Sequence, residues 1–288
     1  MSAVTAATLA AAFESACLSE LEAIKPGNVH IFADGHGMAV QDFVNSAAAA
    51  SAVIAQPGLA VGQRILAAVE ASWDAAGCNT NLGIVLLCAP LLHAALNESL
   101  PTLQERLRRT LRALTVTDAA QACRAIVRAS PAGLGDSARH DVRQPPDVTL
   151  LELMHEAQQR DRIAWQYAHD FADVFEFGAR RYRETLLRWE RPAWATASVY
   201  LGFLARFPDT HVERKHGAGR AQQLRACAEV HDRALLALDN PKRYLPALLD
   251  FDAELKAGGI NPGTSADLVV ASLLVVALEN MMTGRALS

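Results

Sequence analysis

Apolar residues recur along this chain at the 3.6-residue period of an α-helix, and no run alternates apolar with polar as a half-buried strand must. Ala- and Leu-rich segments of this kind occupy about 3–24, 39–55, 60–76, 82–97, 102–114, 117–129, 149–188, 193–206, 213–237, 242–256 and 265–282. Val, Ile and Thr runs bounded by turn residues are almost absent. The pattern predicts an all-α chain. No fixed-period repeat and no Ser/Gly-rich linker divides it. One compact helical domain over 1–288 is therefore expected, with loop-to-helix junctions lining a polar cleft. Its strongest internal break is Ser130–Pro146, SPAGLGDSARHDVRQPP, a loop long enough to carry function.

Composition narrows the partners. At 51% hydrophobic and 20% charged, the chain can bury a core. A net charge of −4 and only 6% aromatics argue against a nucleic-acid surface, which needs cations and stacking platforms. Cys17, Cys78, Cys88, Cys123 and Cys227 form no CxxC pair, as expected of reduced thiols in the cytoplasm. The N-terminus lacks a basic region before its apolar run and reads as an amphipathic helix, not a signal peptide. Leu82–Leu96 is uncharged but too short for a membrane span, so a buried helix is expected. Small-molecule substrates are the expected partners, and the Ala-rich helices are compatible with a homodimer.

Leu150–Arg180 is the most unusual helical stretch. At 100° per residue, Arg162, Gln166, His169, Asp173 and Glu176 fall in one sector about 80° wide. Apolar residues fill most of the remaining circumference, the reverse of a surface helix. A thin ionic seam on a buried helix is expected either to line a polar pocket, suited to phosphate and metal, or to form a solvated edge.

Five junctions hold more polar residues than a packed bundle needs. Lys25-Pro26-Gly27-Asn28-Val29-His30, followed by His36 and Asp42, makes either a phosphate cradle or a plain Pro-Gly turn. Asn79-Thr80-Asn81-Leu82-Gly83 opens an apolar helix whose first turn would attract an anion. Asp136–Asp147, with Asp141, Arg143 and Pro145-Pro146, suits a lid or a surface loop. Thr210 and Glu213 fit a capping box, leaving Arg214, Lys215 and His216 as solvated cations or a polyphosphate clamp. In Asn261-Pro262-Gly263-Thr264-Ser265-Ala266-Asp267, Thr264 and Asp267 again fit a capping box, with an anion site as the alternative. Phosphate-binding Gly loops, GxSxG and HExxH are absent. His140-Asp141, His169-Asp170 and His231-Asp232 are too short to signal a metal phosphohydrolase.

The succession KPGNVH…DF, NTNLG…APL, GL…DV, the Asp161–Phe175 helix, FPDTHVERKHG and NPGTSADL resembles the triphosphoribosyl-dephospho-CoA synthase family over nearly the whole chain. The resemblance implies an all-helical, ATP-dependent transferase. Such an enzyme moves the triphosphoribosyl part of ATP to the 2′-hydroxyl of 3′-dephospho-CoA, releases adenine, and makes a prosthetic-group precursor. It implies Asp173 and Asp209 in Mg²⁺ binding or base duty, and Asp161 as an acid or an ion-pair member. Lys25, Arg162, Arg214 and Lys215 are the implied phosphate contacts. Gly27, Asn28, Asn79, Thr80, Asn81, Gly83, Gln166, His216, Gly263 and Ser265 are expected beside them at the nucleotide. Two departures mark a divergent branch. Ala164-Trp165-Gln166 stands where the family carries Arg-Gly-Glu, and Pro208-Asp209-Thr210 where it carries Asp-Asp-[ST]. They leave open a sibling transferase with another acceptor, such as a pterin-type heterocycle met by Gln166 and Tyr167, or a non-catalytic nucleotide-binding protein.

Overall fold

Side-chain caps decide where many of the helices begin. In the computed structural model, which describes residues 4–35, 37–96, 100–131 and 141–284, Thr102 and Glu105 close a reciprocal capping box at the head of α5 (Leu103–Arg112). Thr115 with Asp118 does the same for α6 (Val116–Ala129), and Thr149 with Glu152 for α7 (Leu150–Ala157). Each box satisfies N–H groups that a helix start leaves orphaned. Before these come α1 (Ala6–Glu22), α2 (Val40–Ile54), α3 (Val61–Ala76) and α4 (Leu82–Ala95). After them follow α8 (Arg162–Ala168), a π-helical turn at Asp173–Ala179, α9 (Arg180–Trp189), α10 (Pro192–Arg206), α11 (Thr210–His216) and α12 (Ala218–Leu236). A 3₁₀ turn, Pro241–Tyr244, leads into α13 (Leu245–Ala257), and α14 (Gly263–Thr283) closes the order. Among the described residues no β-strand forms, and two isolated bridges, His30–Ala33 and Gly35–Met38, tie the loop between α1 and α2. The all-α expectation holds.

The centre of the bundle is α14. Among the described residues it is the one helix long and apolar enough to cross a membrane. Here it packs against α1, α4, α10 and the π turn, with Leu268 to Leu278 almost wholly buried. Its apolar circumference is what a helix surrounded by other helices requires. On one side α2, α3 and α6 stack in turn, and on the other α10 carries α9 and α12.

Two expected helices are divided. Segment 149–188 breaks first before Asp161, whose carboxylate caps α8 by accepting from Ile163 and Ala164 N–H. It breaks again at Asp170 and Phe171, both at positive φ (52° and 59°), and passes through the π turn before α9. Widening the turn re-phases the apolar residues, so that Phe171, Val174 and Phe177 are all buried. Segment 213–237 breaks at Gly217, whose φ of 85° turns the corner between α11 and α12 at no side-chain cost. The start expected at Thr210 belongs to Asp209, which caps α11 through His211 and Val212 N–H. Nor do Thr264 and Asp267 form a capping box, since α14 starts after Pro262 without a side-chain cap.

Candidate active site

A cavity of about 600 Å³ opens where the five junctions meet. The first contributes Asn28, the second Asn79 through Gly83 and the third Asp141. The fourth contributes His211, Arg214 and Lys215, and the fifth Asn261, Gly263, Thr264 and Asp267. Glu20 of α1 and Arg160 before α8 complete the polar wall, while Met38, Phe43, Ile126, Val142 and Met154 form an apolar one. A pocket with a few convergent polar groups on an otherwise apolar surface is the usual form of a small-molecule site.

Asp161 and Arg214 face each other on this wall. One Asp161 oxygen caps α8, accepting from Ile163 N–H (2.8 Å) and Ala164 N–H (3.2 Å). The other accepts from Arg214 Nη1 at 2.6 Å. Asp161 therefore starts α8 and aims a cation at once.

Asp267 behaves differently. It sits just past the first turn of α14 against Gly83, where any Cβ would overlap its carboxylate. Among the described residues no protein donor reaches it. Burial raises its carboxyl well above the usual carboxylate range, and the nearby acids Glu20, Asp209 and Asp161 push it further, against a smaller opposing pull from Arg214. An unpaired, proton-hungry carboxylate in a cavity is a mark of a functional group.

Glu20 is paired from behind. The Lys25 ammonium, fully buried, donates to Glu20 and, at 3.0 Å, to Asn28 Oδ1. Burial lowers the Lys25 pKa and raises that of Glu20, since neither charge is welcome without the other.

Several expected site residues are committed elsewhere. Asp173 accepts from Arg162 Nε (2.9 Å), Arg162 Nη2 (2.6 Å) and Gln166 Nε2 (2.6 Å), and none of the three lines the cavity. The Arg162 guanidinium also lies 3.7 Å from the Trp165 ring centre and 4.2 Å from that of Phe207. Asp209 is fully buried, with one oxygen capping α11 and the other accepting from Ser265 N–H (2.7 Å) and Ser265 Oγ (2.8 Å). Both Asp209 oxygens are thus occupied by protein donors, while the donors to Asp173 all converge on its Oδ2, and neither acid lines the cavity. Lys25 is buried against Glu20 and Asn28 and does not line the cavity. The Gly27 N–H, offered above to a phosphate, donates to Asp252 at 2.8 Å. His216 reaches the Gly259 carbonyl, and Asp42 caps α2. Tyr167 donates to the Leu86 carbonyl and, with Gln166, lies outside the cavity lining. His36, Asp136 and His140 lie outside the described residues. No group of three or more His, Cys, Asp or Glu side chains able to hold a metal occurs among the described residues.

Sequence reasoning missed Glu20, Arg160, His211, Asn261 and, above all, Asp267. The one available signal for Asp267 was that an acid stood directly before the apolar run LVVASLLVVAL, and a plausible capping box explained it away.

The family model described as CitG, ATP:dephospho-CoA triphosphoribosyl transferase, matches residues 6–285. A solved structure of a candidate triphosphoribosyl-dephospho-CoA synthase from Archaeoglobus fulgidus superposes with a TM-score of 0.63 at 23% identity. It covers 81% of this chain and 97% of its own, a likeness that establishes the shared fold. No curated protein matches the chain significantly.

Proposed function

Because the chain belongs to the ATP:dephospho-CoA triphosphoribosyl transferase family, we propose that the five-junction cavity is where ATP and 3′-dephospho-CoA meet. The reaction forms a bond from the acceptor 2′-oxygen to C1′ of the ATP ribose and breaks the C1′–N9 bond. The hydroxyl proton is lost, adenine gains one as it leaves, and the triphosphate stays on the transferred ribose. The carrying observation is Asp267, an acid inside the cavity with no protein donor among the described residues and a carboxyl raised well above the usual range. It serves as the general base that takes the 2′-hydroxyl proton. Arg214, held by Asp161, binds the triphosphate together with Lys215 and the first turns of α4 and α14. Positive charge there also counters the triphosphate as C1′ takes on oxocarbenium character.

Mg²⁺ accompanies most triphosphates, but the residues present do not fit a metal held by the protein. Asp209 is saturated by its four donors, Asp173 is ion-paired to Arg162 outside the cavity, and no three-ligand cluster exists among the described residues. No step is assigned to it. Five unpaired cysteines and the burial of α14 in the core support a place in the cytoplasm.

The test incubates purified protein with ATP and 3′-dephospho-CoA and follows adenine by chromatography. Adenine release that requires the acceptor, and that falls about 10²–10⁴-fold in Asp267→Asn, is the expected result. Full activity in that variant would remove Asp267 from the mechanism. Absence of adenine from the wild-type chain would remove the reaction.

A further inference from the structure

We propose that Asn261 is a ligand-binding donor, its side-chain amide held nitrogen-outward by the buried Lys25 and Asn28. The inference rests on the cavity being the nucleotide site.

A chain of hydrogen bonds links three residues from opposite ends of the sequence. Lys25 Nζ donates to Asn28 Oδ1 at 3.0 Å, and Asn28 Nδ2 donates to Asn261 Oδ1 at 2.7 Å. The orientation of an amide is normally ambiguous, because its oxygen and nitrogen are alike in shape. Here it is fixed from one end. A lysine ammonium has only protons to offer, so the atom of Asn28 facing it must be the oxygen. The Asn28 nitrogen is then turned toward Asn261, which must answer with its own oxygen. That leaves the Asn261 Nδ2 group as the unspent end of the chain, and among the described residues it has no protein partner. Both asparagines line the cavity, whereas Lys25 lies fully buried behind them.

Lys25 thus acts at a distance. It touches no ligand, yet its charge sets the polarity with which the wall meets one. Lys25 is a positioning residue, and Asn261 is the group that binds. Its complement is a hydrogen-bond acceptor, either a phosphate oxygen or a purine ring nitrogen of the nucleotide. An analogue presenting a donor at that point would face two opposed N–H groups and be rejected.

Two substitutions separate the lost bond from added charge. Asn261→Asp keeps the oxygen that Asn28 needs and removes only the outward donor, while Asn261→Ala removes the donor without adding charge. Wild type and both variants are titrated calorimetrically with ATP and with inorganic triphosphate, and adenine release is followed alongside. Both variants should bind ATP about 10- to 150-fold more weakly, the range for a lost hydrogen bond to a charged acceptor. Equal weakening toward triphosphate assigns the donor to phosphate, and weakening toward ATP alone assigns it to the base or sugar. Unchanged affinity in both variants overturns the proposal. So does weakening in Asn261→Asp alone, which would be mere repulsion. If the wild type binds ATP without releasing adenine, and both variants bind it more weakly, the donor role stands and the family reaction falls. Neutron diffraction from a deuterium-exchanged crystal checks the polarity independently. Deuterons on the Asn261 atom that faces Asn28 would overturn it.

Discussion

Asp267 has a thermodynamic signature as well as a chemical one. Its carboxyl titrates well above the unfolded value of about 3.9, so between those two values the native state holds a proton that the unfolded chain has lost. Stability attributable to this group therefore falls as pH rises through that window, and above it the carboxyl is a burden on the fold. Replacing it by the uncharged Asn should raise Tm at pH 7 by a few degrees while removing transfer activity. The gain should vanish as the pH is lowered well below 4, where Asp267 is protonated in both states. Thermal melts at the two pH values decide this, and a variant less stable at pH 7 would show that the carboxylate has a partner it depends on. For the wild type, kcat/KM should fall with decreasing pH well before an ordinary carboxylate would protonate. Asp209 provides the contrast. Its four hydrogen bonds join the head of α11 to that of α14. Asp209→Ala strips a cap and leaves buried donors unpaired, and denaturant unfolding should register a loss of at least ~3 kcal/mol. A stable but inactive Asp209→Ala would return that residue to catalysis.

At the scale of the element, the segment from α8 to α9 shows how periodicity was both informative and misleading. Arg162, Gln166 and Asp173 were placed on one line of a helix, and all three do touch. A straight helix could not achieve this. Eleven residues at a 1.5 Å rise span about 16 Å, beyond the reach of an arginine, yet the guanidinium meets the carboxylate at 2.6 Å. The break at Asp170 and Phe171 folds the segment back and closes the trio. Left-handed backbone costs a non-glycine residue roughly 1 kcal/mol. Asp170 gains only a part-exposed contact with Arg108 in return, a kind of pair worth little. Asp170→Gly should accordingly be neutral or stabilising by about 0.5–1 kcal/mol in urea unfolding. Phe171 is fully buried, and Phe171→Ala should cost about 3–5 kcal/mol. A destabilising Asp170→Gly would mean that the Arg108 contact, not the turn, holds the break.

Across the whole molecule, the cavity joins segments from both ends of the chain, so a ligand bound there clamps elements that unfolding would separate. ATP at 100 times its dissociation constant should add about 2.7 kcal/mol and raise Tm by several degrees. Mg²⁺ alone should leave Tm unchanged, because the described residues offer it no cluster of ligands. A rise with Mg²⁺ alone would reveal a metal site formed on its arrival. The sequence by itself determined the helical class, most helix starts and the five polar junctions, because periodicity, caps and turn residues act within a few positions along the chain. It also carried the family resemblance, which is a property of order along the chain. Only the tertiary structure decided which polar groups are spent and which are free. Lys25 looked like a phosphate ligand until Glu20 and Asn28 were found on it, and Asp209 like a catalytic acid until Ser265 was. Asp267 looked like a cap until it was found alone in the cavity. A carboxylate's availability depends on donors that arrive from anywhere in the fold, and no local pattern records their arrival.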